Sequence, residues 1–382
     1  MSNATSDEFL NGQGVPVELH DIETELTRLW GPAAEQVGGP DLENPHVTRI
    51  ALANLVIFSD LAEAQRLEPR IDTVAARHPS RTIVLRRTDD PERAVSAEVS
   101  AVCHLPAPGM PQVCSERILL RAGPNAIDLL PGSVRPLLEA ELPFVLWWTR
   151  DPRLDEALFR DLADECSRLI LDLPDPQAEP AALKLGLDLE VCEFTKDAAW
   201  FGITRWRELV AQFFDPPAHN ETLDRIDSVQ IKVVASSAER PPRLAVWLAA
   251  WLAGQLGWVP VGQPERSPGC LCAQFQSRSG VIVVEILTTA DPTAAFTQIL
   301  SITLTTRPGG PCGAESFRLI RRVREYPELH VEIDSTEYCT LPRTVLAPEI
   351  DAPSRVSAAL ESSRRDPPYQ MALPHVLWLL GA

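Results

Sequence analysis

Apolar residues in the first half of the chain follow two alternating rhythms. ELHDIETELTRLWG sets Leu19, Ile22, Leu26 and Leu29 at helical spacing and stops at Gly31-Pro32. NLVIF, RTIVL, PFVLWW and RLIL are instead apolar at nearly every position. Such runs suit strands buried on both faces. Between them LAEAQRLEPRIDTVAARHPS and LDEALFRDLADECS keep helical spacing. NAIDLLPGSVRPLLEAEL reads as a broken helix, and VSAEVSAVCHL and VCSERILLRAG as a further strand pair. Helices alternating with short apolar strands predict an α/β domain, a mostly parallel sheet covered by helices on both faces.

The rhythm changes after DLPDPQAEPA, residues 172–181, a proline-rich acidic stretch that reads as a domain border. The N-terminal domain is therefore set at 1–175, with 1–17 disordered, and the second domain at 176–382. In the second, KDAAWFGITRWRELVAQFF is helical up to Pro216-Pro217, SVQIKVV is a strand and LAVWLAAWLAGQLG a helix. LCAQFQS, GVIVVEILTTA, FTQILSITLTT and ESFRLIRRVREYPELHVEID then read as successive strands joined by turn residues. A last helix ends HVLWLLGA. This order predicts an α+β domain with an antiparallel sheet.

The span 244–262 is long enough to raise a membrane helix. Leu244, Trp247, Leu248, Trp251, Leu252 and Leu256 form one stripe, and Gly254, Gln255, Gly257 and Pro260 break the last third, so the expectation is a buried helix. The opening MSNATSDEFLNGQG has neither the basic segment nor the apolar stretch of a signal peptide. At 382 residues the chain has room for two cores. Its net charge of −18 and lack of a basic block argue against nucleic acid and anionic membranes as partners. The eight cysteines are widely scattered with no C-x-x-C, unlike a disulfide framework. Cys270 and Cys272 share one strand face but lack the second close pair that a structural zinc wants. A cytoplasmic protein without metal is expected.

Signatures of catalysis are missing one after another. There is no phosphate loop of the G-x-x-x-x-G-K type, no G-x-G-x-x-G after the first strand, no H-E-x-x-H and no G-x-S-x-G. No cofactor and no enzymatic activity are expected. Three polar–aromatic groupings remain. Trp147 and Trp148 are adjacent on a strand and must face opposite ways, so either both faces are covered or one ring is displayed. Trp147 is assigned to the core; Trp148, next to Arg150, is open to either role. Arg205 and Arg207 flank Trp206, residue types enriched in protein–protein hot spots, though Trp206 in the core with its arginines paired to acids is an equal reading. Arg77, His78 and Arg81 sit at a helix-to-strand junction, where His78-Pro79 either ends a helix or joins an anion or partner contact.

In order, TELTRLWG, ALANLVIF, ARHPSRTIVL, CSERILL, LLPGSVRPLLEAELPFVLWW, RLILDL and WRELVAQFFDPP resemble the glucose-6-phosphate dehydrogenase assembly protein family, OpcA. The likeness spans about residues 20–260 and is most specific in SVRPLLEAELPFVLWW and WRELVAQFFD; beyond about 265 it loosens. It implies a non-catalytic cytosolic protein that binds glucose-6-phosphate dehydrogenase and promotes its assembly or activity. Trp148, Arg150, Arg205, Trp206 and Arg207 are then candidate partner contacts. The rival reading is a sugar-phosphate sensor or enzyme at the carboxyl edge of the first sheet, with Arg77 and Arg81, or Arg150, gripping phosphate.

Overall fold

A computed structural model describes residues 12–35, 47–91, 94–104, 112–174, 180–187, 194–216, 219, 222–294, 296–308, 313–323, 326–334, 342–348, 350–362 and 365–381. The chain divides into two compact units: Met1–Leu173 with Gly186–Lys196 and Ala352–Leu360, and Pro174–Leu185 with Asp197–Asp351 and Glu361–Ala382.

The first unit runs β1 (Val15–Val17), α1 (Ile22–Glu35), β2 (Val47–Arg49), β3 (Asn54–Asp60), α2 (Ala64–Arg77), β4 (Arg81–Arg87), β5 (Val95–His104) and β6 (Gln112–Ala122). It continues with α3 (Leu130–Val134), β7 (Phe144–Trp148), α4 (Glu156–Ala163) and β8 (Arg168–Leu171); α5 (Pro180–Leu187) and β9 (Thr195–Asp197) follow in the chain. Its nine-stranded sheet has the path β1-β5-β6-β4-β3-β7-β8-β9, with β2 beside β6. The central strands β6, β4, β3, β7 and β8 are parallel. β3, β4 and β7 are buried almost throughout, as strands covered on both faces must be. Strand order reverses between β3 and β7, which makes the end of these two strands the switch point of a doubly wound fold.

Two expectations change here. Residues 15–17 are a strand: Val15, Pro16 and Val17 pair with Val99, Glu98 and Ala97 of β5, which gives the segment backbone partners and buries Val15. Residues 1–11 lie outside the described set. Cys103 and Cys114, opposite each other across β5 and β6, form a disulfide. Antiparallel register brings together cysteines whose sequence spacing gave no hint of a bridge.

The second unit runs α6 (Ala198–Gly202), α7 (Thr204–Gln212), β10 (Ile226–Ala235), α8 (Arg243–Gln255), β11 (Val259–Ser267), β12 (Cys270–Ser277), β13 (Gly280–Ala290), β14 (Gln298–Thr306), β15 (Ser316–Val323), β16 (Pro327–Asp334) and β17 (Arg343–Leu346). α9 (Ala352–Glu361) belongs mainly to the first unit, and α10 (Pro367–Leu380) to the second. The eight strands order as β11-β12-β13-β10-β14-β15-β16-β17. Neighbours are antiparallel except β10 and β13, which are parallel because α8 carries the chain across before β11–β13 return. Leu271, Ala273, Phe275, Ile282, Val284 and Ile286 point into the core beneath α8 and α10. Alternate residues face the other way: Val283, Glu285, Gln230, Thr303, Arg318 and Ile320 are all half-buried.

All of α8 from Arg243 to Gly254 is buried, and no helix among the described residues is long and apolar enough to cross a membrane. Gly254 is where α8 meets α10. A Cβ there would lie 2.6 Å from the Met371 carbonyl oxygen, so only glycine allows this approach.

Candidate functional site

Doubly wound sheets bind ligands beyond the carboxyl ends of their strands at the switch point. In this chain that crevice holds the protein's own side chains. Trp148, at the end of β7, is wholly buried, stacked on Phe58 at 4.2 Å between centroids and set edge-on to Phe159 at 4.9 Å. Thr149 donates its hydroxyl proton to the Phe58 carbonyl at 2.8 Å, tying β7 to β3. The Arg150 guanidinium lies 3.5 Å from Asp60 and 3.6 Å from Asp155, and Asp155 also accepts from Arg87 at 2.5 Å. At the start of α2, where a dinucleotide fold presents free amides to pyrophosphate, the Asp60 carboxylate accepts from the Glu63 amide at 2.9 Å. Burial, reinforced by the Asp60 charge, pushes the Glu63 carboxyl up from its ordinary value. Two carboxylates at that helix start repel a phosphate.

Trp147 takes the opposite face of the sheet and is equally buried. Its indole N–H points at Asp172 at 3.3 Å, and Arg70, paired with the same Asp172, lies 5.7 Å above its ring. Helices cover both sides of β7, so Trp148 is not displayed. Of the two roles left open for it, that double coverage gives the buried one.

Arg77, His78 and Arg81 lie at the other end of the sheet, before β4. The Arg81 guanidinium, 3% exposed, donates to Glu116 and Glu23 and to the Leu137 carbonyl, each at 2.9 Å. Burial works against its charge, but Glu23 and Glu116 outweigh that and hold its pKa above the ordinary arginine value. Glu116 further accepts from Trp30 at 2.7 Å and pairs with Arg49 at 2.6 Å. Arg77 donates to the Ser354 hydroxyl at 2.9 Å, and His78 closes α2 through its amide to the Val74 carbonyl at 2.8 Å. These residues stand a strand length, roughly 20 Å, from Arg150, so the two groups cannot grip one phosphate together.

In the second unit, α7 carries the third grouping. Trp206 is 2% exposed beneath the Arg321 guanidinium at 5.6 Å, the buried one of its two equal readings. Arg205 pairs with Glu208 at 3.0 Å and stays partly exposed. Arg207 lies over Trp200, 3.6 Å from the ring centroid, and burial lowers its pKa to about 10 against the pull of Asp366 and Glu208.

Sequence reasoning missed the centre of this region. Asp197 caps α6 through the Ala199 amide at 2.9 Å and accepts from Arg243 and from the Trp247 indole, both at 2.8 Å. Tyr369 stacks on Trp247 at 4.7 Å and accepts from the Asp197 amide at 3.1 Å; its phenol is pushed well up, first by burial and then by Asp197. Asp366 caps α10 and accepts from Trp200 at 2.9 Å. The available signals were two helix-capping aspartates, in KDAAW and in RDPPY.

Comparisons with known proteins fit this two-part layout. Residues 71–185 match the N-terminal domain, and residues 194–373 the C-terminal domain, of the family described as the glucose-6-phosphate dehydrogenase subunit. The second match continues well past residue 265, beyond the last of the motifs quoted for the resemblance. The chain is 31% identical over 194 residues to OpcA of Synechococcus elongatus, covering 50% of this chain and 42% of that protein. It is 31% identical over 204 residues to OpcA of Nostoc punctiforme, covering 52% and 43%. It thus spans less than half the length of these relatives. Among solved structures, myo-inositol dehydrogenase from Lactobacillus casei aligns at a TM-score of 0.40 and 9% identity, covering 81% of this chain and 83% of that one.

Proposed function

The chain belongs to the OpcA family of glucose-6-phosphate dehydrogenase subunits, and from that premise we propose that it is a non-catalytic cytoplasmic protein that binds glucose-6-phosphate dehydrogenase and favours its active assembly. The relatives are named for the OxPP cycle, in keeping with that role. The filled switch point supports a non-catalytic reading. Arg150 is already neutralised by Asp60 and Asp155, and the carboxylates at the start of α2 disfavour a phosphate.

The observation that carries the partner reading is the face of the eight-stranded sheet turned away from α8 and α10. Val281 is 44% exposed there, with Val283 and Leu287 further along β13 and Ile320 three strands away on β15, and Gln230, Thr303, Arg318 and Glu332 lie on the same face. That mixture of apolar and polar groups suits a surface used by a non-obligate partner. Eight strands at their usual spacing and length make a face of about 34 Å by 26 Å, near the ~800 Å² per partner of a standard interface. Arg205, partly exposed on α7, is retained as a secondary contact. Trp148, Arg150 and Trp206 contribute through packing instead.

Activation then follows from mass action. A protein that binds the assembled enzyme more tightly than the unassembled one moves the population towards assembly, and only that difference in affinity does so. The test is to titrate the chain into purified glucose-6-phosphate dehydrogenase of the same organism, following NADPH formation and particle size together. A joint rise in rate and size is expected. No change in either, under oxidising and reducing conditions alike, would overturn the proposal.

A further inference from the structure

We infer that the second unit also carries a binding site for a small phosphate monoester, in a cavity of about 370 Å³ at the start of α8. Three arginines, Arg240, Arg243 and Arg266, are among the residues that line it, together with Ser267, Thr288 and Cys270. Glu239 is the one carboxylate among the described residues of the wall. In a chain of net charge −18 this is a local inversion of sign.

Two of the arginines are held in place. Arg243 is 5% exposed and donates to Asp197 at 2.8 Å, while Asp197 is itself fixed by Trp247 and the Ala199 amide. Arg266 donates to the Leu379 carbonyl at 2.9 Å, at the end of α10. Gly381 makes that seat available. Its φ of +71° is one that L side chains rarely adopt, and a Cβ there would come 2.7 Å from an Arg266 Nη. These arginines therefore need little further ordering to meet an anion, which lowers the entropic cost of binding.

The backbone adds the same polarity. α8 is thirteen residues long and begins at Arg243 behind Pro242, which brings no capping side chain, so the positive end of its dipole lies at the cavity wall. Guanidinium forks match phosphate oxygens, and the hydroxyl-bearing residues Ser267 and Thr288 among the lining suit the polar body of an ester. The volume falls at the lower end of the range for small-ligand pockets, which favours a compact monoester over a dinucleotide. This site belongs to the second unit and the Arg150 edge to the first, and the site does not depend on the partner-binding reading.

Isothermal titration of the full chain with glucose 6-phosphate as the probe tests the inference, with inorganic phosphate and glucose as parallel arms. Saturable binding of the ester is expected, at least tenfold tighter than phosphate and with no heat from glucose. Arg266→Gln and the loop variant Arg240→Gln should each weaken it by about 10- to 100-fold, the range for a lost charge-assisted hydrogen bond. Bound ester should also slow iodoacetamide labelling of Cys270, read by peptide mass spectrometry. Equal affinity for inorganic phosphate would assign the site to the free anion and overturn the ester. No binding, or binding indifferent to both arginine variants, would overturn the site itself. Failure of the enzyme titration would leave these readings unchanged.

Discussion

Both units set arginines beside aspartates near the start of a helix, with opposite results. At the carboxyl edge of the first sheet, Arg150 faces Asp60 and Asp155, Arg87 joins Asp155, and the space above Phe58 is filled by Trp148. In the second unit, Asp197 holds Arg243, and Arg240, Arg243 and Arg266 all line one cavity. One arrangement consumes its charges in holding strands together. The other pairs a carboxylate with a cation beside a cavity. A crevice expected from topology is thus no guide to binding until its charges are accounted for.

The largest expected effect comes from removing what fills the first crevice. Trp148→Ala should cost about 3–5 kcal/mol, as loss of a fully buried aromatic does, measured by denaturant unfolding. A cost under about 1 kcal/mol would mean that Trp148 is not core, and the contrast between the two units would collapse. Asp155→Ala comes next. It strips a carboxylate, 4% exposed, from between Arg150 and Arg87 and should cost about 2–4 kcal/mol. A neutral result would show these pairs to be dispensable.

The smallest effect is one of pH, in the second unit. Burial against Phe275 pushes the His375 imidazole below its ordinary value, so the folded chain binds this proton less readily than the unfolded one. The stability this gives is present above about pH 6.5 and is lost as pH falls through the lower, folded value. Between pH 7 and 5 the melting temperature should therefore drop, and His375→Phe should flatten that part of the profile. An unchanged slope in the variant would place the pH sensitivity elsewhere.

Much of the first sheet was legible because doubly buried strands announce themselves as unbroken apolar runs, as β3, β4 and β7 do. The same reasoning allowed for both tryptophans being covered, yet left Trp148 undecided, since periodicity alone does not say which helix lies over it. β11 was not legible: VPVGQPERS is an edge strand with mostly exposed positions and no alternation to read. The parallel pairing of β10 with β13 and the Cys103–Cys114 bridge depend on register between distant or turned segments, which local pattern does not encode. The cavity of the second unit was hidden for a similar reason. Its arginines come from a loop, a helix start and a strand, and they converge only once α8 and α10 pack across Gly254 and Gly381.

Central to the proposed partner-binding role is the sheet face turned away from α8 and α10 as the surface expected to meet the dehydrogenase. Sedimentation velocity of glucose-6-phosphate dehydrogenase mixed with the wild-type chain or with Thr303→Arg tests it directly. Thr303 is half-buried at the middle of that face, opposite Gln230 and Arg318, so the variant adds bulk and a second cation there without touching the core. The prediction is a larger complex with the wild type and at least a tenfold weaker one with the variant, whose own sedimentation is unchanged. Equal complex formation by both chains would contradict it.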